Sequence, residues 1–240
     1  MKPSILALVL MSALPATCLA QDADAPDTGW SGTGELGLAI AKGNTDSETL
    51  TGSLALSHED PVWRHAVGAS FLYGKSDGLE TAYRYDVFAE SGYRLTGRSY
   101  LLGSIRNERD HFASYEYQWT ASASYGYEAI KREATQLTFE IGPGYRWAKL
   151  QGVQVHNNET IVRGSMEFKH AFNANTSVYD TLLVEAGSDN TFAVNDAGVK
   201  VKMTQALALK AGLETRYNTD VLPGIKNTDN LTTINVVYDF

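Results

Sequence analysis

The stretch Tyr115–Tyr127, with the sequence YEYQWTASASYGY, decides the fold class because its residue types alternate without a break. The odd positions carry Tyr, Tyr, Trp, Ala, Ala, Tyr and Tyr, whereas the even positions carry Glu, Gln, Thr, Ser, Ser and Gly. In a β-strand, successive side chains point to opposite faces of the sheet. The stretch is therefore predicted to form one long strand whose apolar face begins at Tyr115.

The same alternation recurs along the chain, for example in Trp30–Ala41 and in Leu137–Ala148. No window combines a 3.6-residue period with helix caps, so we expect no helix after the first 20 residues. Turn-forming residues divide the pattern into twelve predicted strands. These span residues 30–42, 47–58, 63–74, 80–93, 98–109, 115–128, 135–148, 159–171, 176–187, 193–203, 206–218 and 229–240.

The length of the strands and of their connections indicates how they are arranged. Ordinary globular strands have about five or six residues, whereas a tilted strand needs about nine to eleven to cross a bilayer. Long connections are predicted at 75–79, 110–114, 149–158 and 219–228, all on one end of the sheet, and short ones on the other. The tight connection at 43–46 departs from this rule. Transmembrane barrels show this asymmetry. We therefore predict an all-β, antiparallel transmembrane β-barrel of about twelve strands over residues 30–240.

Aromatic residues on the apolar face are predicted to contact outer-membrane lipid. Amphipathic rings prefer the headgroup level of a bilayer, and here they concentrate toward strand ends. The predicted aromatic girdle contains Trp30, Trp63, Tyr73, Tyr127, Tyr145, Trp147 and Tyr217. The chain ends with Tyr238 and Phe240 on the same face, which resembles the C-terminal signal that outer-membrane barrels present to the barrel-assembly machinery.

The polar face carries charges of both signs in nearly equal numbers. In a barrel this face lines the lumen, where opposite charges can pair laterally. The predicted lumen-facing charges are Glu35, Arg64, Arg84, Asp86, Glu90, Arg106, Glu116, Glu140, Arg146, Arg163, Glu167, Lys200, Glu214 and Arg216. The same parity also carries Glu108, Glu185, Asp196 and Lys210. A barrel of twelve strands is intermediate in size between eight-stranded barrels, which side chains fill, and porins of sixteen to eighteen strands, which have an open channel. We therefore expect a narrow or largely filled lumen.

The N-terminus has the pattern of an export signal. Lys2 precedes the apolar segment 5–14, and small residues precede Gln21, so residues 1–20 are predicted to be a cleaved signal peptide. Cys18, the only cysteine, permits an alternative interpretation of the chain as a lipoprotein. If the signal peptide is cleaved, Cys18 is removed with it and the remaining chain has no disulfide. Residues 21–29 are predicted to be a periplasmic N-terminal segment, and the predicted location is the Gram-negative outer membrane.

Composition argues against two other classes of protein. The 240 residues include 13 Tyr and 4 Trp, which is too aromatic for a disordered chain. The formal net charge of -8 and the lack of a basic run argue against a nucleic-acid partner.

Several motifs together resemble a known family. They are Lys42–Ser47, Trp63–His65, Tyr83–Tyr85, Arg98–Leu101, Asn107–Asp110, Tyr125–Tyr127 and Gly142–Arg146. This set resembles the family of salt-induced outer-membrane proteins, also called domain of unknown function 481, over essentially the whole chain after the signal. The resemblance implies a Gram-negative outer-membrane β-barrel, and it brings no activity with it.

No motif indicates a cofactor, a metal site or a catalytic centre. The five histidines, at positions 58, 65, 111, 156 and 170, lack metal-ligand spacing. We therefore predict a non-enzymatic barrel, either structural or a narrow porin-like channel for small solutes or ions, with a link to envelope or osmotic stress. One alternative is an outer-membrane lipid hydrolase with Ser104 or Ser165 as nucleophile. The other is a soluble periplasmic β-sandwich that acts as a binding module.

Overall fold

The computed structural model describes residues 29–41 and 47–240, and this part of the chain forms twelve strands. The strands are β1 (Trp30–Ala41), β2 (Ser47–Glu59), β3 (Trp63–Ser76), β4 (Leu79–Arg94), β5 (Ser99–Asp110), β6 (Tyr115–Lys131), β7 (Thr135–Leu150), β8 (His156–Ala171), β9 (Thr176–Gly187), β10 (Thr191–Lys202), β11 (Leu207–Asn218) and β12 (Thr228–Asp239). The described residues contain no helix long and apolar enough to cross a membrane. The predicted signal peptide, Cys18, residues 21–28 and the turn at 43–46 lie outside the described residues.

Each strand pairs with its neighbours in sequence, and β1 also pairs with β12, so the sheet closes into a barrel. All pairs are antiparallel, as in β1 with β2, where Trp30 lies opposite His58 and Ala41 opposite Ser47. The predicted fold class and strand number are confirmed. The alternative of a β-sandwich is wrong, because a sandwich has two separate sheets whereas here one sheet closes on itself.

The two faces of the barrel are inverted relative to a water-soluble protein. Outward residues are apolar and exposed, with 55% of Leu36, 62% of Ile141 and 70% of Ile234 accessible. Inward residues are often polar and buried, as Gln118 and Glu108 are. An apolar outer surface suits a barrel whose exterior contacts lipid and whose interior holds polar groups.

The strand connections follow the predicted asymmetry only in part. Those at the end that carries the C-terminus have three or four residues, and the longest one at the other end is 219–227. The long connection predicted at 75–79 is wrong, because β3 and β4 continue into a two-residue turn at Asp77 and Gly78. Both residues have positive φ, 48° and 83°, and that backbone twist matches a tight hairpin. The connection predicted at 149–158 shortens to 151–155, because β8 begins at His156.

A bulge in β6 changes which face two residues occupy. The register with β7 shifts between Tyr115 and Tyr117. Because a bulge adds one residue, the inward and outward alternation of side chains before it is reversed relative to the rest of β6. Tyr115 is therefore buried, with 3% of its surface exposed, rather than on the outer face. Glu116, predicted in the lumen, instead pairs with Arg109 at 3.0 Å and Lys149 at 2.7 Å. Arg109 and Lys149 each follow an inward residue of their strand, so their side chains point outward. The Glu116 carboxylate that pairs with them therefore lies on the outer face at this end of the barrel.

Candidate functional site: the charged lumen

Eight charged side chains form a continuous line across the interior, which we call the cross-lumen charge chain. Its members, in the order in which they touch, are Glu159, Arg146, Glu185, Arg106, Glu108, Arg216, Glu214 and Arg84. Carboxylates and guanidinium groups alternate along it, so that its formal charges cancel. It belongs to the inward face of β4, β5, β7, β8, β9 and β11.

The chain crosses the barrel rather than following its wall. Arg106 on β5 reaches Glu185 on β9 at 2.8 Å, and Arg84 on β4 reaches Glu214 on β11 at 2.5 Å. Arg216 on β11 also contacts Glu108 on β5. None of these strand pairs is adjacent in the sheet, so the side chains meet in the middle of the lumen. The bore is therefore occupied at this level.

Burial changes from one end of the charge chain to the other. Arg146 and Glu185 are each 1% exposed, while the side chain of Glu214 at the far end is 26% exposed. Phe192 adds apolar bulk to the buried part, with Arg106 and Arg216 stacked near its ring at 4.8 and 5.1 Å. At the level of Arg146 and Glu185 the lumen is thus filled on the β7–β9 side, and the charge chain is more accessible to water beside β4 and β11.

The loops opposite the chain terminus add a second seal above the buried end. Asn190 is fully buried; its carbonyl accepts a hydrogen bond from Arg146, and its amide oxygen accepts the backbone N–H of Asp220 at 3.0 Å. Tyr115 donates its hydroxyl to Asp220 at 3.3 Å, and the backbone N–H of Leu222 donates to Ser114 at 2.8 Å. The connection 219–227 is therefore folded against the connections before β6 and β10.

A second cluster surrounds Glu140, and its members lie on β3, β4, β5, β7 and β8. This carboxylate accepts hydrogen bonds from Tyr100 and Arg163 at 2.7 Å and from Ser165 at 2.9 Å. Arg163 also approaches Glu90 at 3.5 Å, and Arg64 lies over the Tyr100 ring at 4.3 Å. Ser165 is thus bound to a carboxylate.

The second serine proposed as a nucleophile has a hydroxyl partner. Ser104 lies 2.7 Å from the Ser122 hydroxyl. A nucleophilic serine needs an adjacent base such as histidine. Ser104 therefore pairs with another hydroxyl, and Ser165 pairs with the Glu140 carboxylate.

The remaining predicted lumen charges also have partners. Lys210 binds Glu35 at 3.2 Å and Asp196 at 3.3 Å, and Lys200 binds Asp239 at 2.7 Å. Asp86 accepts a hydrogen bond from Ser70, and Glu167 pairs with Lys169 at 2.7 Å in a more exposed position.

Among the described residues, three cavities lie in the lumen between these clusters. The first cavity, of about 280 Å³, lies next to the connection 111–114. The second, of about 180 Å³, lies further from that connection, near Glu35 and Lys210. Both are lined by Arg84, Glu214, Leu72 and Leu231, so the Arg84–Glu214 ion pair separates them. The third, of about 390 Å³, lies beside the Glu140 cluster and the buried part of the charge chain.

Some lumen residues were absent from the sequence prediction. Glu159 has the same parity as Arg163, which predicts that both side chains face the lumen. Glu159 was not among the predicted lumen residues because it is the first residue of its predicted strand. Tyr100, Tyr179 and Phe192 also face inward, and none of them was among the predicted lumen residues. Within residues 29–41 and 47–240, no three His, Cys, Asp or Glu side chains come together as a metal site.

The girdle residues lie on the outer face near both ends of their strands. Trp30, Trp63 and Tyr127 are near the end that carries the C-terminus, and Trp63 contacts the Tyr93 ring edge-on at 5.2 Å. Tyr145 and Trp147 are near the other end, with ring centroids 4.8 Å apart. Tyr73 and Tyr217 lie near that same end, on β3 and β11.

The family profile described as "Protein of unknown function, DUF481" matches residues 34–240, which is most of the chain. The chain belongs to the DUF481 family. The resemblance inferred from the sequence is thereby confirmed, and the family's description includes no reference to salt. A relative in Escherichia coli (strain K12), called uncharacterized protein YdiY, is 23% identical over 209 residues, which cover 84% of this chain and 80% of YdiY.

Solved outer-membrane barrels share the fold at low sequence identity. The COG4313 outer membrane channel from Pseudomonas putida F1 superposes with a TM-score of 0.52 and 11% identity, covering 92% of this chain and 98% of the channel. The translocator domain of the autotransporter NalP from Neisseria meningitidis gives a TM-score of 0.50 and 14% identity, with 90% of each chain covered. The barrel therefore resembles Gram-negative outer-membrane proteins in fold.

Proposed function

We propose that the protein is a narrow channel of the Gram-negative outer membrane that passes small solutes or ions along one side of its lumen. The observation that carries this proposal is the position of the two cavities separated by Arg84 and Glu214. They lie at the exposed end of the charge chain, whereas the other end is sealed by Arg146, Glu185 and Phe192. On a path along β4 and β11, the Arg84–Glu214 ion pair is therefore the barrier between these two cavities.

The charge pattern of this path predicts weak selectivity. Arg84 and Glu214 cancel each other, and Lys210 below them faces Glu35 and Asp196. A ring of one sign would select ions of the opposite sign, but here both signs are interleaved. We expect small cations and anions to pass at similar rates and larger solutes to be excluded.

We also propose that the barrel lies in the Gram-negative outer membrane and is inserted there by the barrel-assembly machinery. The exposed apolar exterior supports contact with outer-membrane lipid, and the pattern that ends at Tyr238 and Phe240 supports insertion by the barrel-assembly machinery. Export by a cleaved signal over residues 1–20 is part of the same proposal. Because a narrow path restricts solute flux, a role under envelope or osmotic stress is the physiological setting we infer.

Recording of the purified wild-type protein in planar bilayers tests conduction. We expect small unitary currents with a cation-to-anion permeability ratio near one. A bilayer that stays silent after verified insertion would contradict the channel and favour a structural role in the envelope. Release of fatty acid from phospholipid or lipopolysaccharide by the same preparation would instead support the hydrolase alternative.

A further inference from the structure

The wall of the barrel has an incomplete seam between its first and last strands. The register of β1 with β12 runs from Thr33 opposite Asp239 to Gly37 opposite Asn235. By contrast, β1 pairs with β2 over its whole length, and β12 pairs with β11 from Tyr238 back to Thr228. Beyond Gly37 and Asn235 both strands continue, but the register between them ends.

Asn235 marks the point where the seam opens. Its side-chain amide donates to Glu35 at 3.1 Å, and its oxygen accepts the Thr51 hydroxyl at 3.3 Å from β2. The amide passes over Gly37, where an added Cβ would meet both Asn235 and Thr51. Glycine at this position therefore lets the Asn235 amide reach across β1 to Thr51, at the point where the pairing of β1 with β12 ends.

A cavity of about 250 Å³ occupies the opening and is lined from both faces of the wall. Leu38 and Ile234 contribute outward side chains that are 63% and 70% exposed. Thr51 and Thr233 line both this cavity and the lumen cavity beneath Arg84. The opening therefore adjoins the lumen cavity beneath the Arg84–Glu214 ion pair and borders the outer surface at Leu38 and Ile234.

The chemistry of the opening is mixed. Backbone groups that face hydrocarbon without a partner are costly, and irregular backbone at membrane depth persists where it lines a polar cavity. Thr232 and Asn230 also turn hydrophilic groups outward on β12, beside Leu213 and Thr215 of β11. An occupant that suits this lining has hydrogen-bonding groups for the slot and an alkyl part for the lipid outside.

We propose that the β1–β12 seam is a lateral opening that admits a lipid of the surrounding membrane. The polar, uncharged part of the lipid lies against Thr51, Thr233 and Asn235, and its alkyl chain lies outside against Leu38 and Ile234. Charged groups near the inner mouth are already paired, as Lys210 is with Glu35, so the slot offers hydrogen bonds rather than a net charge. The inference rests on the proposed membrane location and does not depend on ion conduction.

Cysteine pairs test whether the seam is open. The chain after Cys18 has no cysteine, so introduced thiols are the only ones in the protein without its signal. The double variant Leu36→Cys with Val236→Cys spans paired strands, and Leu38→Cys with Ile234→Cys spans the same strands two residues further along. All four side chains are exposed on the outer face, so both variants should fold. A disulfide needs Cα atoms within about 7 Å.

We expect mild oxidant to cross-link the first pair almost completely and the second pair several-fold less. Equal cross-linking of the two pairs would show that the seam is closed and would overturn the proposal. Disulfide-linked dimers of the single variant Ile234→Cys would place a second copy of the chain in the seam, and they would also overturn it.

Fluorophores attached to single cysteines test for the lipid. The label is placed at Thr233→Cys beside the seam, at Thr181→Cys on the inner face of β9, and at Ile141→Cys on the exposed outer face. The variants are inserted into phosphatidylcholine vesicles that contain phosphatidylcholine with a doxyl spin label near the acyl carbonyl. We expect strong quenching at position 141, several-fold weaker quenching at 181, and quenching at 233 close to that at 141.

The labels also separate two kinds of failure. Quenching at 233 no stronger than at 181, with 141 quenched, would overturn the lateral opening and leave the proposed channel intact. Absence of quenching at all three positions would show that the barrel does not span these bilayers, and both proposals would fall together.

Discussion

At the scale of single residues, Arg146 shows how an ionised side chain acts as a structural element of the lumen. Its guanidinium group contacts Glu159 and the carbonyl of Asn190, and it lies 4.0 Å from Glu185. All of these groups are buried. A charge removed from water is costly unless its partners are in place, so each member of this group depends on the others.

Replacement of Arg146 by Met should therefore destabilise the barrel strongly. The change leaves Glu159 and Glu185 with one cation fewer, and loss of one partner in a buried pair costs about 3–5 kcal/mol. The measurement is urea unfolding of the protein in lipid vesicles. The matched control is Lys169→Met, which removes the exposed partner of Glu167 and should cost less than about 1 kcal/mol. Equal unfolding midpoints for the two variants would show that the buried pairs contribute nothing to stability.

At the scale of strands, the sequence pattern was sufficient for number, direction and face, but it failed at irregularities. Period-two alternation is a property of regular strands, and one extra residue at the β6 bulge reverses it. Tyr115 and Glu116 were misplaced for that reason. The two-residue turn at Asp77 and Gly78 was missed because its residues were interpreted as part of a longer loop, although Asp-Gly is a strong hairpin signal.

The pairing of β5 with β6 also contains a contact that is visible only in the structure. Gly126 lies opposite Tyr100, and the tyrosine ring covers the glycine so closely that an added Cβ would overlap it. Tyr100 is completely buried and is bonded to Glu140. The parity of the residues predicts that both face inward, but their register across two strands decides that they touch.

Substitution of Gly126 by Ala should displace the Tyr100 ring and lower stability by about 1–3 kcal/mol, which is the usual cost of overpacking. The control is Gly103→Ala in the same hairpin, where the nearest atom to an added Cβ is the Ser91 carbonyl oxygen at 3.9 Å. That change should be neutral or slightly stabilising, because alanine restricts the unfolded chain. Both are measured by the same urea titration, and a reversed order of stabilities would contradict the packing described.

At the scale of the whole molecule, the charges of the lumen are arranged asymmetrically. The sequence predicted that the lumen is charged and narrow, and it named Arg84, Arg106, Arg146, Glu214 and Arg216 among its residues. It did not indicate which of them meet, because contacts across a barrel depend on strand tilt and side-chain reach rather than on local pattern. The structure places the sealed part beside β7–β9 and the separable pair beside β4 and β11.

The single-channel conductance of two arginine variants tests this asymmetry most directly. Arg84→Ala removes one member of the ion pair between the two stacked cavities, and Arg163→Ala removes a lumen arginine from the Glu140 cluster on another part of the wall. We expect the conductance of Arg84→Ala to rise several-fold above that of the wild type and that of Arg163→Ala to stay near it. An unchanged conductance in Arg84→Ala, or an equal rise in both variants, would contradict a path that runs between β4 and β11.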